Sequence, residues 1–171
     1  MRVEFDNGIA LHCSDVTERQ FAMLRQIPLH ADSSGCTTGE QRLKLKPIDE
    51  PLNDADDEAN DDWREHTLPE LHEEFARQLE VVTTDLATHV QQPSEGEEKL
   101  FSFRLPMSHV DAWYGALNQA RLMMQERYHF PKIETEANIM AMMNDQVMIG
   151  PYLIANFYTE MQSMLLEVMD G

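Results

Sequence analysis

SHVDAWYGALNQARLMMQERY, from Ser108 to Tyr128, is the stretch that decides the fold. At about 100° per residue, Val110, Trp113, Leu117, Ala120, Met124 and Tyr128 share one side of a helix. Pro106 stops the extended segment before it. Ser108 stands where a capping side chain belongs, and Asp111, three residues later, takes the place of a capping-box acid. Tyr114, Asn118 and Arg121 form a polar ridge along one flank of the stripe. An Arg and an Asn so close to an apolar face need partners when covered, because a buried unpaired charge is very costly. Two readings follow: the ridge is a binding or regulatory contact, or a structural network fastening this helix to its neighbours.

Outward from this helix, the pattern predicts an α-rich α+β domain, with about five helices packed on a small antiparallel sheet. Residues 2–13 read as a β-hairpin, with Val3 and Phe5 alternating against Arg2 and Glu4. A three-residue Asp6-Asn7-Gly8 loop sets Phe5 opposite Ile9 and Val3 opposite Leu11, with Gly8 left-handed. A short helix follows, capped by Asp15 with Glu18 three residues on, running toward Ile27 and ending at Pro28. From Leu29 to about Asn60 the signals are loop-like, with at most an edge strand at LKLK. Residues 49–62 place eight acids with no basic residue, which predicts a weakly ordered, solvated loop inside the domain.

A second long helix starts near Thr67, with Glu70 completing a capping box. Leu68, Leu71, Phe75, Leu79, Val82, Leu86 and Val90 give it the cleanest periodicity in the chain. That spacing allows a homodimer seam, but one stripe facing an intramolecular core accounts for it more simply. QQPSEGEE reads as a loop, and Leu100 to Leu105 as a third strand joining the hairpin. Pro131 breaks the chain after the central helix, and Thr135 to Val147 reads as a shorter helix. The last helix, about Tyr152 to Met169, presents Leu153, Ile154, Phe157, Met161, Met164, Leu165 and Val168 to the central one. At 171 residues all this fits one domain, residues 1–171.

The formal charge is −18, and it is uneven. Residues 1–46 balance six basic against six acidic side chains, 47–100 hold three against seventeen, and 101–171 four against eight. A surface of this sign repels phosphate backbones and anionic lipid, so the expectation is no direct nucleic-acid binding and no membrane, with another protein, basic in character, as partner. No apolar run reaches the eighteen or more residues of a span, and MRVEF lacks an apolar signal core. With two cysteines and no disulfide framework, the reading is a cytoplasmic protein with reduced thiols.

Most catalytic signatures are absent: there is no Gly-rich phosphate loop, no G-x-S-x-G elbow and no C-x-x-C. His12 and Cys13 are neighbours on a strand and point to opposite faces, so they form no dyad. Glu126 and His129 make one Glu-x-x-His spacing, where a di-iron helical bundle needs two; His66, Glu70, Glu73 and Glu74 read as a solvated helix start. Cys13 and Cys36 are the redox candidates. Nine of the twelve methionines lie between Met123 and Met169, which suits core filling or a groove for a partner helix.

The motif W-x-x-A-L-N-x-x-R-L, from Trp113 to Leu122, resembles that of a bacterial family, best known from actinobacteria and described only as a domain of unknown function. The hairpin and short helix look like the family's opening. Trp113, Leu117, Asn118, Arg121 and Leu122 match its central helix, and Met161-Gln162 with Leu165 stands for its Leu-Gln segment. The long acidic insertion and the Met-rich tail depart from it. The resemblance implies a small helical protein with no established activity, often encoded near the Clp-protease adaptor; some members are labelled transcriptional regulators. Together these readings lead to a non-enzymatic regulatory or adaptor protein, with no cofactor. Its contact is the acidic middle third or the Met-rich helical face, with Trp113, Asn118, Arg121 and Gln162 holding the two key helices in register; the candidate binding residues are Tyr114, Asn118, Arg121 and Gln162. A metal-dependent enzyme of helical-bundle type and a cysteine redox switch are the alternatives.

Overall fold

In the computed structural model, residues 1–6, 8–32, 65–66, 68–92, 99–130, 140 and 144–169 are described. Strands β1 (Arg2–Asp6), β2 (Ala10–Thr17), β3 (Val90–Gln92) and β4 (Leu100–Pro106) form one antiparallel sheet in the order β1-β2-β4-β3. Around it run α1 (Glu18–Leu24), α2 (Ile27–Ala31), α3 (Leu68–Ala87), α4 (Val110–Tyr128) and α5 (Ile149–Met169). Helix α4 is the central element, packed against α2, α3 and α5. All of its expected stripe except the half-buried Tyr128 is buried. Trp113 is 0% exposed and Phe157 of α5 7%, and both belong to one core shared with the sheet. The α+β reading with a central helix therefore holds.

The sheet's core face is built by alternation interrupted once. Leu11 and Cys13 of β2 face inward opposite Leu105 and Phe103 of β4, all four buried. Strict alternation would then send Val16 outward. The register instead shifts between Cys13 and Val16, and Asp15 takes a left-handed φ of 53°. That bulge turns Val16 back into the core, opposite Phe101. Asp is among the residues that tolerate this conformation, and the Asp15 N–H donates to Gln92 Oε1 at 3.2 Å.

Several boundaries differ from expectation. The hairpin pairs Phe5 with Leu11 and Val3 with Cys13, two residues further along β2 than a Asp6-Asn7-Gly8 loop would give. Gly8 is left-handed as expected, at φ 70°, but Ile9 also belongs to the turn, its N–H donating to the Asp6 carbonyl at 3.1 Å. Because the shift is by two residues, the faces are unchanged. Asp15 does not cap α1. Thr17 does, accepting from the Gln20 N–H at 3.2 Å, while Gln20 Oε1 accepts from the Thr17 N–H at 3.1 Å. Pro28 does not end that helix either: α1 stops at Leu24, and Pro28 sits in the first turn of α2, where a missing N–H costs nothing.

The fourth strand, β3, was not expected. Val90 looks like the last member of the α3 stripe, yet α3 is closed before it by its own side chains. Thr88 Oγ1 donates to the Asp85 carbonyl at 2.7 Å, and His89 Nδ1 lies 2.9 Å from the Leu86 carbonyl. Val90 then pairs with Ser102 and is exposed. Ser108 does not cap α4; it lies in a 3-10 turn (Met107–His109), and His109 precedes the helix without a capping bond. On α5, Leu153 is 42% exposed and Tyr158 is fully buried, so the packed stripe is Ile154, Phe157, Tyr158, Met161 and Leu165. The acidic run at 49–62, the LKLK segment and most of the helix expected over 135–147 lie outside the described residues.

Candidate functional site

Three polar clusters tie α4 to its neighbours, and one of them opens onto a cleft. The first is centred on Asp85, a carboxylate in the last turn of α3 that is only 5% exposed. Trp113 donates its indole N–H to Asp85 Oδ2 at 2.9 Å, and His109 Nδ1 lies 3.0 Å from both carboxylate oxygens. A buried carboxylate with two N–H donors has much of its lost hydration replaced. The Trp113 ring stacks on Phe103 at 5.4 Å and 10°, so the residue joins sheet, α3 and α4 at one point.

The second cluster fastens α2 and α5 across the core. Tyr158 donates its hydroxyl to the Met23 carbonyl at 2.7 Å, and His30 Nδ1 lies 2.8 Å from the Tyr158 hydroxyl oxygen. A phenol has one O–H, which is donated to the Met23 carbonyl, so His30 must donate its Nδ1–H to the Tyr158 oxygen. Burial pushes the His30 pKa down, and the nearby Arg127 charge adds to the shift; burial pushes the Tyr158 hydroxyl up. Gln119, on the side of α4 turned to α2, donates to the Ala31 carbonyl at 3.2 Å, while its Oε1 is buried without a partner among the described residues.

The third cluster joins α4 to α5, which run antiparallel. Gln162 is 3% exposed; its amide donates to the Tyr114 carbonyl at 3.2 Å and its Oε1 accepts from Arg121 Nη1. No carboxylate pairs with Arg121 among the described residues. Beside the guanidinium lies a cleft of about 350 Å³, lined by Asn118, Arg121, Leu122 and Gln125 of α4, Tyr152, Ala155, Asn156 and Thr159 of α5, and Phe130. Phe130 meets Tyr152 edge-on at 5.7 Å and stacks on Tyr128 at 5.7 Å, bridging the two helices at one end. Gln125 donates to the Phe130 carbonyl at 3.0 Å, fixing that bridge.

The ridge is divided by position. Asn118 and Arg121 line the cleft; Gln162 and the Tyr114 backbone stand behind them as support. Glu126 and His129 lie at the C-terminal end of α4, where His129 is its left-handed cap at φ 50°. Among the described residues, no three His, Cys, Asp or Glu side chains converge on a point that could hold a metal, the His66 group included. Cys13 is buried, and burial pushes its thiol up to about 12; Cys36 lies outside the described residues. Met123, Met124 and Met161 are buried in the core, so these three form no exposed face. No described helix is long and apolar enough to cross a membrane.

Asp85, His30, Tyr158 and Gln119 are the polar residues that sequence reasoning missed. Asp85 had a signal: it lies three residues after Val82 and one before Leu86, inside the apolar stripe of α3. Tyr158 falls four residues after Ile154 and three before Met161, on the packed face of α5.

The fold and these clusters define a small α+β domain whose central helix is held on three sides, by α2, α3 and α5. The family model of a domain of unknown function, DUF2017, matches residues 18–169, and the chain belongs to that family. No curated protein and no solved structure matches the chain.

Proposed function

We propose that this protein is a non-enzymatic regulatory or adaptor protein that acts by binding another protein, and that the cleft between α4 and α5 is its recognition surface. One observation carries the reading: Arg121 is held by a neutral amide beside open concave space, so its charge is oriented but not cancelled. The Asp85 group and the His30–Tyr158 pair spend their polar atoms on partners inside the protein and work as fasteners. In the cleft, by contrast, the side-chain amides of Asn118 and Asn156 bond no described residue. Convergent polar groups on an apolar wall are the usual make-up of a binding site.

Site-specific photocrosslinking in cells of the native host tests this. With benzoylphenylalanine in place of Asn156, a discrete crosslinked species is expected that Arg121→Glu removes. The same group in place of Thr84, exposed on α3, should not give that species. Crosslinking that is absent from both positions, or identical from both, would reject the cleft as a recognition surface.

A further inference from the structure

We propose that the group this cleft selects is the C-terminal carboxylate of the bound chain. The proposal rests on the cleft being a protein-binding surface and names what it binds. Charge comes first. The chain has 31 acidic and 13 basic side chains, yet the nine lining residues include Arg121 and no acid. A half-buried guanidinium next to amides, hydroxyls and apolar walls is stabilised most by an anion brought to it.

Geometry narrows the anion. Gln162 is immobilised by its own bond to the Tyr114 carbonyl, and through Oε1 it fixes one N–H of Arg121. Arg121 is therefore oriented before any ligand arrives, which lowers the ordering cost of binding. Its remaining donors form a planar fork that matches the two oxygens of a carboxylate. Asn118 on α4 and Asn156 on α5 flank it with unused amides, each able to donate to and accept from a peptide backbone. Leu122, Ala155, Phe130 and Tyr152 supply apolar wall for a final side chain.

Size and closure favour a chain end over a strand running through. At about 350 Å³ the cleft is at the small end of ligand sites, which span roughly 300–1,000 Å³. The Phe130–Tyr152 edge contact joins the two helices across one end of it. A chain end, which needs room only for its last residue and carboxylate, suits a site of that size.

The test uses the full chain and a pool of random hexapeptides, with free or with amidated C-termini. The readout is the side-chain amide NMR signals of Asn118 and Asn156. The free-carboxylate pool should shift both signals, with amidation weakening binding about 10-fold or more, as expected when a charge-assisted pair is lost. Arg121→Gln should weaken the free pool by a similar factor. Asn156→Asp, read through the Asn118 signal alone, keeps the shape and adds a negative charge and should do so as well, and thermal melts verify that both variants fold. Equal binding of the two pools overturns the carboxylate inference but leaves the cleft as a binding surface. Equal binding by amidated peptides carrying an internal Asp overturns the C-terminal assignment in favour of a side-chain acid. If no pool shifts either signal, the inference fails, and persistence of the Arg121-dependent crosslink from position 156 shows that the cleft still binds protein by other chemistry.

Discussion

Trp113→Phe removes the indole N–H from Asp85 while keeping an aromatic ring to stack on Phe103. The cost has two parts. Losing a hydrogen bond to a charged acceptor is worth about 1.5–3 kcal/mol. The smaller ring also leaves space in a site that is fully buried, adding roughly 1 kcal/mol for the unfilled volume. The sum, about 2.5–4 kcal/mol, lowers Tm by roughly 5–16 °C in a domain of this size. The diagnostic experiment is a double-mutant cycle with Asp85→Ala, read as urea midpoints by circular dichroism. Once the carboxylate is gone, Trp113→Phe should cost only the volume part, so the two sites should couple by about 1.5–3 kcal/mol. A coupling below about 0.5 kcal/mol would show that Trp113 stabilises by filling space alone and that the Asp85 bond contributes nothing.

Acid should loosen the α2–α5 fastening. Because the folded state holds His30 below its ordinary pKa, the unfolded chain binds the extra proton first. The His30 contribution is therefore complete above pH 6.5 and declines as pH falls below it, until the folded-state pKa is passed. Urea midpoints measured across that window should fall more steeply in the wild type than in His30→Phe. At Gly115, an added Cβ would clash with the Gln78 side-chain amide, a flexible end, so Gly115→Ala needs that amide to swing aside from its bond to Glu74. The gain in helix propensity, about 1 kcal/mol, should leave the net change within about 0.5 kcal/mol. Gly115→Leu should cost about 1–3 kcal/mol by forcing α3 from α4, and a urea midpoint lowered as much by Ala as by Leu would refute this account of the contact. Iodoacetamide at pH 8 should leave Cys13 unlabelled in the folded chain and label it after unfolding, since its thiol is buried and pushed up to about 12. Peptide mass spectrometry reads that site directly.

The large features of the fold were legible because each is repeated along the sequence. Val110, Trp113, Leu117, Ala120 and Met124 mark α4 five times over, and a helix-period pattern repeated that often has few alternatives. What was misplaced depends on single residues. One bulge at Asp15 lengthens β2 and moves the α1 cap to Thr17. Two side chains, Thr88 and His89, end α3 before Val90 and release it to form β3. Nothing in hydrophobic spacing reports such local competition for backbone partners.

The site was half legible for a related reason. Stripe reading treats a helix as having one buried face, but α4 is enclosed by α2, α3 and α5, so Ala116, Gln119 and Met123 are buried beside the expected stripe. The side of α4 that those three helices leave open carries Asn118, Leu122 and Gln125, with Arg121 at the edge. The sequence marks Arg121 and Gln162 as noteworthy but cannot pair them, because 41 residues separate them and only the antiparallel run of α4 and α5 brings them together. That pairing separates a closed fastener from a cation left beside open space. Asp85 meets its two donors inside the protein and has no capacity to recognise anything else, whereas Arg121 meets a neutral amide and keeps its charge available to whatever enters the cleft.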